Sequence, residues 1–334
     1  MAAAPCESSA KTTGLNSTLP IGQWPQSSMS NRSAPVHMAS PRVWPTWCLV
    51  GVGWLIARLP WAALFPLGRQ FGRLALRLGG ARRHITETNL RLCFPELDSA
   101  ERKAMVQRVF EAVALGTLEL CVAWLNPKRG QRHPVRVEGA EHFHGALAEG
   151  RGVVLLGAHF AVMEIIAAPL VNLGPVDVMY RKNRNPVWEW VQVRGRRHYF
   201  DGVLERKALR PTLRTLQAGR ALWYAADQDY GPRHSVFAPF FGVSAATITA
   251  TTQLARHSGS PVLMMSQHRN DADRTWTLRF EPPLSNFPSG DELQDAVRVN
   301  QAIEAAVRRR PEQYLWLHRR FKTRPPGELG LYGP

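Results

Sequence analysis

The stretch Arg151–Leu170, RGVVLLGAHFAVMEIIAAPL, decides how the whole chain is read. Val153–Leu156 is an unbroken apolar run between Gly152 and Gly157, the pattern of a strand buried on both faces. From Ala161 the spacing turns helical and runs to Pro169. His159 sits between strand and helix, and Glu164 follows five residues later inside an apolar face. On one continuous helix, positions five apart lie about 140° round the axis and do not meet. With His159 at the strand's end and Glu164 in the helix's first turns, the bend is expected to bring them together. A carboxylate on one imidazole nitrogen fixes the tautomer and leaves the other nitrogen free as a base. No protein nucleophile stands beside this pair, so the substrate's own hydroxyl would have to attack. A His and a Glu at this spacing also occur as ordinary structural residues. Position favours chemistry, because open α/β sheets hold ligands beyond the carboxyl ends of their strands.

Working outward, 334 residues allow one large domain or two smaller ones with ample core. A formal charge of +16 implies an acidic partner: nucleic acid, an anionic membrane surface, a phosphorylated lipid or an acidic carrier protein. Cys6, Cys48, Cys93 and Cys121 are far apart and form no CxxC, which argues against a zinc module and a disulfide framework. His142 and His144 lack a third ligand at zinc spacing and read as surface histidines.

Residues 1–41 are rich in Ser and Pro, poor in large apolar residues, and read as a disordered extension without the pattern of a secretory signal. Met29 and Met38 offer internal starts. Residues 42–68 change abruptly to WPTWCLVGVGWLIARLPWAALFPLG, uncharged but for Arg58 and edged by Trp44, Trp47, Trp54 and Trp61 in its Trp44–Gly68 portion. That composition predicts a membrane anchor, either spanning or lying in the interface, since Arg58 and Pro60 interrupt a clean span. Arg69, Arg73, Arg77, Arg82 and Arg83 follow, placing this flank on the cytoplasmic side.

Residues 69–326 then form the main domain, with 327–334 as a tail. Helical pattern covers 84–125, starting anew at Ser99 after Pro95, with Glu119 as a solvated or structural carboxylate. VDVMYRKNRNP (Val176–Pro186) reads as a second buried strand ending in a cationic loop. Arg194, Arg196 and Arg197 suit phosphate through their bidentate forks, or form a solvated basic face. ALWYAADQDYGP (Ala221–Pro232) is another strand, delivering Asp227 and Asp229, which orient arginines in preference to binding a divalent cation. VFAPFFG (Val236–Gly242) is an apolar loop for an acyl chain or a corner of the core. A helix, two hairpin-like strands, an amphipathic helix and a basic-aromatic tail close the chain. Strands alternating with helices predict an α/β fold: a central, largely parallel sheet flanked by helices, with an N-terminal membrane-anchoring helix.

AHFAVME, MYRKNRNP, Gly195-Arg196, ADQDYGPRHSVFAPFFG and PEQYLWLHRRFKTRP, preceded by NLRLCFPEL, together resemble the late acyltransferases of lipid A biosynthesis. These lauroyl/myristoyl transferases stand within the HxxxxD/E glycerolipid acyltransferase class, and the resemblance runs from Trp44 to Pro326. It implies a bacterial inner-membrane enzyme, active on the cytoplasmic face, that moves a fatty acyl group from acyl carrier protein to a hydroxyacyl chain of a lipid A precursor. His159 and Glu164 take the catalytic positions, Arg196 and Asp227 the further functional ones, and Arg181 and Asp229 also fall in motif positions as substrate-binding residues. On this reading Glu164 stabilises the imidazolium, Asp227 holds Arg196 against the acceptor's head group, and amides after His159 receive the oxyanion. The acidic carrier would dock on Arg308, Arg309, Arg310, Arg319, Arg320 and Lys322. No metal, cofactor or covalent acyl-enzyme is needed, and no GxSxG occurs to suggest a serine esterase. The alternatives are a lysophospholipid or glycerol-phosphate acyltransferase, and a basic nucleic-acid-binding protein.

Overall fold

Val153–Gly157 forms β2, the middle strand of a seven-stranded sheet. Its side chains alternate between two apolar cores: Val154 and Leu156 enter one, Val153 and Leu155 the other. Burial on both faces is the reason its sequence shows no polar alternation. The structure, a computed structural model, describes residues 36–333. On one side of β2 lie β5 (Ala221–Ala225), β3 (Val176–Tyr180) and the edge strand β4 (Val203–Glu205), all parallel. On the other side β8 (Val262–Asn270) runs parallel to β2 and pairs antiparallel with β9 (Thr275–Pro283). β1 (Val135–Glu138) closes the far edge, parallel to β9. The expected α/β architecture with a largely parallel sheet is therefore present.

Helices cover both faces. α6 (Ala140–Ala148), α7 (Ala167–Leu173) and α8 (Pro186–Arg196) contribute Phe143, Leu170 and Val191 to one core. α9 (Leu209–Gln217), α10 (Ala250–Ser258) and α11 (Glu292–Arg309) contribute Leu216, Leu254 and Ile303 to the other. The apolar loop expected at Val236–Gly242 is a hairpin of β6 (Ser235–Phe240) and β7 (Val243–Ile248), with Phe240 and Phe241 in the core. It is the core corner of the two readings.

The helical stretch 84–125 divides into α3 (Gly80–Cys93) and α4 (Ser99–Leu125), and α5 (Pro127–Gly130) follows as a single turn. Asp98, not Ser99, caps α4: its carboxylate accepts the amides of Ala100 and Glu101 at 2.7 and 2.8 Å, while Glu101 accepts the Asp98 amide at 2.9 Å. That reciprocal box satisfies donors the helix start leaves over. Glu119 is structural: fully buried, it takes Arg269 at 2.9 Å and the Trp276 indole at 2.8 Å.

Most of the extension expected over 1–41 lies outside the described residues. From Val36 the chain makes two short 3₁₀ turns, and the Trp47 indole donates to the Met38 carbonyl at 2.9 Å. The segment expected to anchor the chain is not one helix. α1 (Trp44–Ile56) stops before Arg58 and Pro60, and α2 (Trp61–Leu78) begins after them. Proline biases the residue before it away from the α region, and Arg58 folds back over the Trp54 ring. Thirteen residues of α1 rise only about 20 Å. No helix among the described residues is long and apolar enough to cross a membrane. What the two helices do carry is exposed apolar surface: Trp44, Leu49, Val52, Trp54 and Leu55 on α1, then Phe71, Leu74 and Leu78 on α2.

α4 also sets the position of the loop after β2. Gly116 approaches so closely that a Cβ there would lie 2.2 Å from the Ala161 carbonyl oxygen. Gly116→Ala should push that loop away from α4, costing about 1–3 kcal/mol of stability. Activity should fall beyond what the unfolded fraction explains, because His159 is two residues from the displaced carbonyl. Denaturant unfolding together with turnover of the remaining folded protein checks this; unchanged values in both would contradict the packing role.

Candidate active site

Strand register builds the centre of the site. β2 and β5 pair with Gly157 opposite Ala225, so His159 and Asp227 each stand two residues beyond the last paired position. Adjacent strands lie about 4.8 Å apart, which leaves the two side chains abreast. The His159 Nδ1–H donates to Asp227 Oδ1 at 2.6 Å, and the His159 amide donates to Oδ2 at 2.9 Å. Asp227 thus fixes both the ring and the backbone that carries it. The buried Tyr314 hydroxyl lies against the same carboxylate. Burial alone would raise the Asp227 pKa, but the imidazole beside it outweighs this and holds it down to about 2. At His159 burial pushes the pKa down, the Asp227 carboxylate pulls it up harder, and the net shift is upward.

The expected contact between His159 and Glu164 is replaced. Glu164 opens a short 3₁₀ turn, Glu164–Ile166, ahead of α7, rather than sitting on a helix that begins at Ala161. Its carboxylate accepts the Trp124 indole N–H at 2.9 Å and Arg196 Nε at 3.2 Å, with Nη2 as a further donor. Arg196 in turn is held by Glu164 and not by Asp227 as expected. The guanidinium is buried, near the Trp124 and Tyr180 rings, and is turned onto its carboxylate instead of outward to a head group. Its charge still acts at the site, opposing Asp227 by lowering the His159 pKa.

The remaining expected residues separate. Arg181 follows the end of β3 with its side chain exposed. Asp229 is buried and occupied: it accepts the Gly231 amide at 2.8 Å, the Thr323 amide at 2.6 Å and the Thr323 hydroxyl at 2.9 Å. In place of the substrate contact expected of it, the structure shows it tying down the C-terminal segment. The first two amides after His159 are bonded within the protein. Phe160 N–H donates to the Ala158 carbonyl at 2.9 Å, and Ala161 N–H to the Gln313 carbonyl at 2.6 Å. The helical start that follows His159 comes later than expected, at the 3₁₀ turn Glu164–Ile166.

Several site-forming residues were not singled out by sequence reasoning. Phe160 forms an isolated antiparallel bridge with Tyr314, and the Leu315 amide donates to the His159 carbonyl at 2.9 Å. Asn89, fully buried on α3, donates to the carbonyls of Trp316 and His318 at 2.7 and 2.8 Å and accepts the Tyr332 hydroxyl at 2.6 Å. His318 lines a narrow recess with His159, Asp227, Gln228 and Arg320. The available signal was the pair of motifs NLRLCFPEL and PEQYLWLHRRFKTRP, far apart in sequence yet meeting through Asn89.

The basic run expected to form one dock is dispersed. Arg320 is 2% exposed and donates to the Ala246 carbonyl at 2.8 Å. Arg309 pairs with Glu281 at 2.7 Å, and Arg308 lies over the Phe241 ring. Arg310 lines a separate cleft of about 690 Å³ with Arg69, Arg73, Arg108 and Arg136. Because β8 runs parallel to β2, its Arg269–Asn270 end, which also lines this cleft, lies at the same edge of the sheet as His159. Among the described residues no three His, Cys, Asp or Glu side chains gather as metal ligands.

Comparison with known proteins adds a family to this geometry. The profile described as bacterial lipid A biosynthesis acyltransferase matches residues 33–323. The chain is 41% identical over 293 residues to the lipid A biosynthesis lauroyltransferase of Escherichia coli K12, covering 87% of this chain and 96% of that one. It is 39% identical to the palmitoleoyltransferase of the same organism, over 87% of this chain and 95% of the other. The myristoyltransferase of that strain shares 31% over 299 residues, covering 87% of this chain and 91% of its own. Matches of this identity along nearly the full length of each relative make the chain a member of the bacterial lipid A biosynthesis acyltransferases.

Proposed function

We propose that this acyltransferase takes a fatty acyl group from acyl carrier protein and places it on a hydroxyl of an acyl chain in a lipid A precursor, with His159 as general base. The observation that carries the reading is the short His159–Asp227 hydrogen bond at the carboxyl end of β2. Asp227 keeps the proton on Nδ1, so Nε2 carries the lone pair that accepts the substrate proton. As the hydroxyl oxygen attacks the thioester carbon, His159 becomes an imidazolium stabilised by Asp227, and it then supplies a proton to the departing thiolate. Glu164 acts at one remove. By gripping Arg196 it holds a positive charge near the imidazole and fixes the loop through Trp124.

A lipid acceptor also suits the outer surface. The exposed apolar residues of α1 and α2 fit an interfacial dock on the cytoplasmic face of a bacterial inner membrane, with Arg77 in the last turn of α2 drawn to anionic head groups. The cleft keeps an excess of positive charge that suits an acidic carrier, since its arginines outnumber the lining acids Glu111, Asp271, Asp273 and Glu312. Family membership removes the ground for reading the +16 charge as a sign of nucleic-acid binding.

His159→Ala should lower kcat by about 10²–10⁴-fold while membrane association stays intact. Near-normal transfer by that variant, measured with an acyl carrier protein thioester and a lipid A precursor, would contradict the base assignment. The pH profile gives a second test. The base must be neutral, so kcat/KM rises with pH through the His159 pKa, and the upward shift places this limb above 6.5 in the unaltered enzyme. In Asp227→Asn, burial and Arg196 remain and both push the pKa down, so the limb should move below 6.5. The rate itself should drop by roughly 10⁴, as expected when an imidazole loses its orienting carboxylate. An unmoved limb would mean that another group titrates.

A further inference from the structure

With the amides of His159, Phe160 and Ala161 all committed, a side-chain donor close to the imidazole is suited to the negative charge that develops on the thioester oxygen. We propose that His318 is that donor, its Nδ1–H receiving the carbonyl oxygen as the hydroxyl attacks. This assignment rests on His159 being the base.

Four observations carry it. His318 lines the same recess as His159 and Asp227. Its tautomer is forced: the Asp229 backbone N–H approaches Nε2 at 3.2 Å, and because an amide only donates, Nε2 is the acceptor and Nδ1 bears the proton. Among the described residues, Nδ1 has no hydrogen-bond partner of its own. The ring is also held in place from its backbone, whose carbonyl accepts Asn89 Nδ2 at 2.8 Å and the Arg320 amide at 2.9 Å. A rigid donor with no partner in the resting protein is what preorganised oxyanion stabilisation requires.

Charge in the recess supports the same role. Arg320 is buried, and among the described residues its guanidinium hydrogen-bonds only to neutral acceptors: the Ala246 carbonyl, Thr247 Oγ1 and Asn300 Oδ1. An unneutralised cation beneath the recess favours an anion at its mouth. Burial, with the further push of His159 and Arg320, holds the His318 pKa down to about 4, so at neutral pH it is an uncharged donor that does not compete with His159 for the proton. Gln228, the remaining partly exposed polar side chain of the recess beside His159 and His318, has no hydrogen bond among the described residues that fixes its direction.

The step balances. The acceptor O–H proton passes to His159 Nε2, the new C–O bond forms, and the carbonyl π pair moves onto the oxygen that faces His318. Collapse of the tetrahedral intermediate restores the carbonyl and breaks the C–S bond. The thiolate then takes the proton from His159, giving ester and thiol. His318 keeps its proton throughout.

The test uses the full chain with an acyl carrier protein thioester and a lipid A precursor. His318→Ala should lower kcat by about 10²–10³-fold with KM for both substrates little changed. His318→Gln, which offers both an acceptor for Asp229 and a donor, should recover part of that loss. A His318→Ala kcat within a few-fold of wild type, or a change confined to KM, would overturn the assignment. Should His318→Ala fail to fold, ¹⁵N NMR of histidine-labelled wild type decides. Neutral imidazole protonated on Nδ1 is the expected state at pH 7, and Nε2–H or imidazolium would overturn the proposal. His159→Ala is assayed alongside: full activity there removes the base and this inference together, whereas full activity in His318→Ala alone removes only the latter.

Discussion

The hydrogen bond between His159 and Asp227 depends on strand register before it depends on either residue. Two parallel strands paired Gly157 to Ala225 place the second residue beyond each end side by side. A slip of one position would turn each of those side chains to the other face of the sheet. Buried Val, Leu and Trp residues on both faces of β2 and β5 resist such a slip, so the cores on either side of the sheet are what hold the dyad together. The chemistry inherits its geometry from the packing.

A second consequence concerns the carboxylates. Two acids and two bases meet around one loop, and the chain pairs them as His159 with Asp227 and Arg196 with Glu164. Each pair satisfies its own buried charges, so neither acid is left to serve both bases. The Trp124 indole completes the coordination of Glu164, and Tyr314 lies against Asp227. The C-terminal segment then closes over the loop: Gln313 binds Ala161, Leu315 binds His159, and Asp229 holds Thr323. Residues separated by more than 150 positions therefore share responsibility for one imidazole.

This arrangement explains what the sequence made legible. The apolar run at Val153–Leu156 announced a doubly buried strand, and the alternation of strands and helices announced the parallel sheet, because both are local patterns with a strong hydrophobic signal. His159 stood out through its place at a strand end. Its partner did not, since register between β2 and β5 is a long-range property that no spacing within Arg151–Leu170 encodes. Glu164 was the nearest acid in sequence, while Asp227 is the nearest in space. Asn89 and His318 were hidden for a related reason: their contacts are side chain to backbone across the fold, and such bonds leave no periodicity. The Trp-rich segment Trp44–Gly68 was legible as apolar in composition, but Pro60 divides it into two helices whose apolar faces are only partly turned outward.

The central claim is that Asp227, and not Glu164, holds the His159 imidazole. Proton NMR of histidine-labelled protein measures it directly, through the strongly deshielded Nδ1–H that a short N–H···O bond to a carboxylate produces. The account predicts that this resonance is present in the wild type, persists in Glu164→Gln and disappears in Asp227→Asn. A signal lost in Glu164→Gln and retained in Asp227→Asn would contradict it.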